Sequence, residues 1–166
     1  MPTREPLDPI TQAARLWEDH GWADAAPGMA AVTSLMRAQQ LVLSRVEAAL
    51  KPYAITFARY EVLMLLVFSQ RGSLPMGTIG SRLQVHPTSV TNAVDRLEAA
   101  GLVERLPHPS DRRAILVAIT AEGRAIADKA TTALNGEVFS RLGLTRSDTR
   151  SLVGILTRLR ADAGDF

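Results

Sequence analysis

A mainly α-helical fold with one small β-hairpin is what this sequence predicts, and three observations carry the prediction. Apolar residues recur at three- and four-residue spacing through most of the chain, the period of helices with one buried face. Aromatic residues are scarce at 5 % while hydrophobic residues reach 46 %, so the core must be Leu, Val, Ile, Ala and Met, a composition that leans helical. From residue 102 to 119 the pattern changes to two short runs of apolar and β-branched residues around a polar turn with two prolines, the mark of a hairpin.

Asp8-Pro9 reads as an N-cap followed by proline at the first helical position. Ile10, Ala13, Ala14 and Trp17 then form one face of a short helix that ends near His20-Gly21. Pro27 opens a longer helix whose stripe is Met29, Val32, Met36, Leu43, Val46 and Leu50, ended by Pro52. Gln39 and Gln40 interrupt that stripe, so the helix faces a partner or a cavity there. Thr56 caps a third helix from Phe57 to about Gln70, with Tyr60, Leu63, Met64 and Val67 on its face. After a turn at Arg71-Gly72-Ser73, Leu74 sits on a very short strand, and Pro75 begins a helix through Leu83. Gly77 and Gly80 in that helix each cost roughly 1 kcal/mol against alanine, which suggests close packing against another backbone.

Gln84-Val85 is a tight connection, and His86-Pro87 starts the most informative helix, which runs to Ala100 and stops at Gly101. Val90, Ala93, Val94 and Leu97 form its apolar face; Thr88, Thr91, Asn92 and Asp95 form the other, flanked by Ser89 and Arg96. Leu102–Leu106 and Arg113–Ile119 read as the hairpin strands, joined by the turn Pro107–Arg112. Thr120 caps the next helix, carried by Ile126, Leu134, Val138 and Leu142 and bent at Gly136. Thr145 to Asp148 resembles a capping box with Asp in place of Glu, and opens a last helix with Leu152, Ile155, Leu156 and Leu159 on one face.

Composition excludes several classes. The longest apolar run, Val62–Phe68, falls far short of a membrane span of roughly 20 residues, and no apolar leader follows Met1. With no cysteine there is no disulfide, no thiolate metal site and no thiol switch. These features lead us to expect a cytoplasmic protein without membrane contact. His20, His86 and His108 are widely spaced, and no H-E-x-x-H, G-x-S-x-G or phosphate-loop pattern occurs. We therefore expect no enzyme activity, no metal and no cofactor. The formal net charge of +2 does not itself point to nucleic acid, so any DNA-binding charge must be local.

A short helix, a tight turn and a second helix make a helix-turn-helix, and a hairpin directly after it makes the winged version. The second helix of such a unit enters the major groove. Thr88, Ser89, Thr91 and Asn92 suit that role, because hydroxyls contact bases or phosphates without bulk and Asn reads adenine edges. A merely solvated helix face would favour Glu, Lys and Gln, since short and β-branched polar residues weaken helices. In the hairpin, Asp111, Arg112 and Arg113 place two guanidinium groups beside a carboxylate near the loop tip, which suits minor-groove insertion with the carboxylate holding one arginine. A solvated charged turn would have the same composition.

The stretch from Val85 to Arg105, VHPTSVTNAVDRLEAAGLVER, resembles the recognition helix and first wing strand of MarR-type regulators. Asp111 to Gly123, DRRAILVAITAEG, is similar to the family's wing signature, D-x-R followed by a strand and T-x-x-G. The resemblance covers roughly residues 28 to 160. It implies a winged helix-turn-helix at 56–120, flanked by dimerisation helices at 1–55 and 121–166, in a homodimer on palindromic double-stranded DNA. Arg113 then matches the wing arginine and Asp111 its partner; Thr88, Ser89, Thr91 and Asn92 match recognition-helix positions, and Arg96 lies in the D-R-L-E segment. The family typically represses transcription, and many members release DNA when a small, often aromatic acid binds. The N-terminal helix with Trp17 resembles the urate-responsive branch, whose acidic residue matches Glu61; where that branch carries an arginine this chain has Ala93. Trp17 and Trp22 serve equally as hydrophobic anchors of their helix. The alternative function is a winged-helix protein-interaction module without DNA binding, which would not need paired arginines on its wing.

Overall fold

The structure, a computed structural model, describes residues 8–111 and 114–166, and the chain divides after Ala48 into two compact units. In the first unit, the Asp8 carboxylate accepts hydrogen bonds from the backbone N–H of Ile10 (3.3 Å) and Thr11 (3.0 Å). Together with Pro9 at the first helical position, this cap starts α1 (Pro9–Asp19). Trp17 and Trp22 meet edge to face with ring centroids 5.1 Å apart, which packs the turn before α2 (Ala26–Leu50). Among the described residues α1 buries no side chain, and Val32, Met36 and Leu43 of the α2 stripe are exposed, whereas Val46 is buried.

In the second unit, Leu50 is fully buried, and Pro52 converts the helix into a 3-10 turn, Lys51–Tyr53, that ends in left-handed Ala54 (φ 54°). Thr56 then caps α3 (Phe57–Phe68) by accepting from Arg59 N–H at 3.4 Å. This helix is apolar nearly all round, so its buried set is Tyr60, Val62, Leu63 and Leu66; Met64 and Val67 of the expected face are only half-buried. A short strand, β1 (Ser73–Pro75), leads into α4 (Met76–Leu83). Pro75 is extended (ψ 142°) and caps α4 rather than opening it. Next come α5 (Pro87–Ala99), β2 (Val103–Pro107) and β3 (Ile115–Ile119). The three strands form one antiparallel sheet in the order β1-β3-β2, with Leu74 opposite Val117 and Arg105 opposite Val117 on its other side.

The first hairpin strand begins one residue later than expected because Leu102 belongs to the helix stop. Gly101 adopts φ 72°, its N–H bonds to Glu98 O (2.9 Å), and Leu102 N–H bonds to Leu97 O (2.9 Å). That is a Schellman motif, and Leu97 and Leu102, at the two positions that usually meet in it, are both buried. The second strand begins at Ile115, later than the expected Arg113, which with Arg112 lies outside the described residues.

Thr120 caps α6 (Ala121–Glu137), accepting from Gly123 N–H at 3.0 Å. The expected bend at Gly136 is instead a helix end: Val138 leaves helical geometry (φ −120°), and Phe139–Arg141 forms a 3-10 turn. The expected capping box does form at α7 (Arg146–Asp162): Thr145 Oγ accepts from Asp148 N–H (3.1 Å) and donates to the Asp148 carboxylate (2.6 Å). Ala127, Ala130 and Leu134 of α6 are buried with the α3 residues, and the Tyr60 hydroxyl pairs with Thr131 Oγ at 3.1 Å. Among the described residues no helix is long and apolar enough to cross a membrane.

Gly123 is fixed by contact, since a Cβ there would lie 2.0 Å from Leu102 O. We expect Gly123→Ala to cost about 1–3 kcal/mol by forcing the start of α6 off β2. A thermal melt should show Tm lowered by roughly 3–10 °C, and an unchanged Tm would contradict the contact.

Candidate nucleic-acid interface

The interface is built on the α4-turn-α5 unit. Gln84 closes α4 in the left-handed region (φ 54°, ψ 39°), which turns the chain sharply enough for α5 to begin three residues later. His86 caps α5: its Nδ1 accepts from Thr88 N–H at 3.3 Å, with Pro87 at the first helical position. The close backbone packing expected from the two glycines of α4 does not appear: a Cβ at Gly80 would stand 3.4 Å from Val90 Cγ2 and 3.8 Å from Val85 O, ordinary contact distances, and nothing lies within 4 Å of a would-be Cβ at Gly77.

Val90, Val94 and Leu97 are buried, and this turns the other face of α5 outward. Thr88, Ser89, Thr91, Asn92, Asp95 and Arg96 are all exposed on it. Thr91 Oγ donates to Pro87 O at 3.1 Å, so its methyl group faces outward more freely than its hydroxyl. Beside this face, between the start of α3 and α5, runs an open groove of about 710 Å³ bordered by Arg59, Ser89, Asn92 and Arg96, with the carboxylate of Asp95, itself paired with Arg105, also in its lining. Two guanidinium groups flanking hydroxyl and amide donors suit a phosphate-bearing partner.

Arg59 was not singled out from sequence; it sits in the first turn of α3, and only tertiary packing brings it beside α5. Arg105 was also missed. From β2 its guanidinium reaches back to α5, pairing with Asp95 at 2.5 Å and with Glu98, while its N–H bonds to Glu98 Oε1 at 3.2 Å. Burial works against its charge, but the hydrogen bonds and charges of Asp95 and Glu98 outweigh it and hold the group above its ordinary value. The sequence signal was a cation two residues after Val103, on the inward side of a strand, facing carboxylates at i, i+3 on the preceding helix.

In the wing, His108 Nδ1 accepts from the N–H groups of Ser110 (3.3 Å) and Asp111 (3.1 Å), and Ala114 N–H bonds to Asp111 O (3.0 Å). This folds the loop tip and presents Asp111 at the surface; Arg112 and Arg113 lie outside the described residues. Trp17 belongs to the N-terminal unit, on α1, and Glu61 to the second unit, half-buried on α3. Burial pushes the Glu61 carboxyl above the usual carboxylate range.

Comparisons with known proteins agree with this geometry. The profile of the MarR family matches residues 55–115. The chain is 31 % identical over 117 residues to the helix-turn-helix-type transcriptional regulator YhbI of Bacillus subtilis, spanning 68 % of this chain and 75 % of the relative. It resembles the crystal structure of Sco5413, a MarR family transcriptional regulator from Streptomyces coelicolor, with 49 % identity, TM-score 0.75, and coverage of 84 % of this chain and 97 % of the other. It also resembles the repressor CouR bound to a 23-mer DNA duplex, with 28 % identity, TM-score 0.70, and coverage of 76 % and 89 %. CouR from Rhodococcus jostii has also been solved with p-coumaroyl-CoA, and that form matches with 28 % identity, TM-score 0.65, and coverage of 75 % and 87 %.

Two outcomes test the local electrostatics. Arg105→Ala strands two carboxylates, but the pair is partly solvated, so the loss should be about 1–2 kcal/mol in a denaturant titration. Arg105→Lys should recover only part of it, because an ammonium cannot fork between two acids. For Glu61, a folded-state pKa above the unfolded one means that stability is greatest when the group is protonated and declines as pH rises through the folded value. Glu61→Gln should therefore raise Tm at pH 7, and the gap should close well below the ordinary value of 4.5. A gap of the same size at both pH values would rule out the burial effect.

Proposed function

Because this chain belongs to the MarR family of DNA-binding transcriptional regulators, we propose that it acts as a homodimeric repressor that reads a palindromic operator with α5 and the wing. A small organic acid, of aromatic or related character, releases it. The family consists of regulators rather than enzymes, and we assign the chain no catalytic role and a cytoplasmic location. The observation that carries the reading is the outer face of α5. Behind the His86-Pro87 cap it offers Thr88, Ser89 and Asn92 with nothing bulky before Arg96, which allows close approach to base edges. Arg59 and Arg96 border the adjoining groove as phosphate contacts, and by the family resemblance Arg113, with Asp111 as its partner, serves as the minor-groove contact of the wing, with Arg112 as a phosphate contact.

The dimer reading rests on unpartnered apolar surface. Val32, Met36, Leu41 and Leu43 on α2, and Leu152, Val153, Ile155 and Leu159 on α7, are exposed. Apolar area of that extent on helices is rare on a monomer, and it supports residues 1–55 and 121–166 as the dimerisation region around a 56–120 reading head. Effector control is supported by the CouR complex with p-coumaroyl-CoA. Trp17 in the first unit and, separately, the half-buried Glu61 in the second are our candidates for effector contact.

Light scattering should give twice the chain mass of 18.0 kDa. Footprinting on DNA upstream of its own gene should protect an imperfect palindrome with half-sites about 10–10.5 base pairs apart. Inserting roughly 5 base pairs at the centre puts the half-sites on opposite faces of the duplex, and affinity should fall sharply. Undiminished affinity would leave the two-headed dimer untenable.

A further inference from the structure

The end of α7 is tied to the turn of the helix-turn-helix. Helix α7 ends in a Schellman motif of its own: Gly164 adopts φ 69°, its N–H bonds to Ala161 O (3.0 Å), and Asp165 N–H bonds to Arg160 O (3.0 Å). That stop folds Asp165 back against Gln84, the left-handed residue between α4 and α5. The Gln84 carboxamide is used at both ends. Its Nε2 donates to Asp165 O (2.5 Å), and its Oε1 accepts from Arg160 Nη2 (2.8 Å). Arg160 Nε donates to the Asp165 carboxylate at 2.6 Å, closing a three-residue ring, and the guanidinium stands over the Phe166 ring, 5.1 Å from its centroid.

We infer that Gln84, Arg160 and Asp165 form a latch that sets the start of the recognition helix and couples it to the packing of α7, so that these are positioning residues for DNA reading. Two features argue for this over an incidental surface contact. Gln84 occupies a conformation that glycine adopts without strain and other residues do not, so a long amide has been placed where the backbone alone would favour none. The latch also lies two residues before His86, whose ring caps α5, and next to Val85, whose N–H bonds back to Gly80 O at 3.3 Å. At its other end is a helix that buries no side chain among the described residues and carries exposed Ile155 and Leu159. On the dimer reading above, on which this inference rests, α7 takes its position from the partner subunit. The latch then carries that position to α5 through two hydrogen bonds and an ion pair.

The test uses Gln84→Gly, Arg160→Ala and the double variant in the full chain, titrated against a duplex carrying the protected palindrome at fixed salt. Gln84→Gly keeps the left-handed turn and removes the side chain that carries the amide. Each single variant should bind about 3- to 10-fold more weakly, as network residues outside the contact surface do. The double should be no weaker than the worse single, because both break one ring. Light scattering and circular dichroism should be unchanged, and amide hydrogen exchange over residues 85–91 of the free protein should quicken. Wild-type affinity in the Gln84→Gly variant, or losses that simply add in the double, would overturn the latch. If the wild-type chain itself binds no palindrome, the DNA reading fails and not this one; the latch then fails only if exchange over 85–91 is also unaltered.

Discussion

The Leu102 carbonyl is where the recognition helix, the wing and the long helix behind them meet. Leu102 N–H closes the end of α5 on Leu97 O, its own oxygen accepts from Thr120 N–H at 3.2 Å, and Thr120 Oγ donates to Gly101 O at 2.8 Å. Gly123 must be a glycine because α6 begins directly on that oxygen. One small hydrogen-bonded knot therefore fixes three directions: where α5 stops, where β2 leaves, and the angle at which α6 departs. The T-x-x-G of the wing signature has a physical reason in these contacts. Threonine caps and cross-links, and the glycine three residues on makes room.

The same junction shapes the electrostatics. A helix meant for a polyanion carries Asp95 and Glu98 near its exposed side, and bare carboxylates there would oppose phosphate approach. Arg105 covers both from the strand. It offsets one of the two negative charges and links β2 to α5 through its ion pairs. The net charge of the chain is only +2, and at the groove Asp95 shares the lining with Arg59 and Arg96 while its carboxylate is engaged by Arg105.

Much of this was legible in the sequence where the signal is local. The apolar face of α5 followed from the spacing of Val90, Val94 and Leu97, and the caps at Asp8, Thr56, Thr120 and Thr145 each formed as their residue types imply. Shifts occurred where two local rules compete. Leu102 looks like a strand residue but completes a helix stop, and Pro75 looks like a helix opener but ends a strand. Arg59 and the Gln84 ring were not legible, because each depends on partners brought near only by folding; Gln84 meets residues 76 and 81 positions away. Which face of α3 is buried was also hidden, since a helix apolar all round has no stripe to read.

What the single chain leaves exposed completes the argument. Helices α1 and α7, of 11 and 17 residues, bury no side chain among the described residues, although helices of this length draw their stability in water chiefly from tertiary packing. Their apolar faces need a covering surface. On the dimer proposed above, a second copy supplies it, since in an isologous pair one patch meets its counterpart across a two-fold axis. That axis would also relate two copies of α5, which is the geometry a palindrome demands. Folding and operator reading thus depend on the same association. Whatever alters the packing of α7 then acts on DNA binding through the region from Arg160 to Gln84, without any change in the residues that touch the bases.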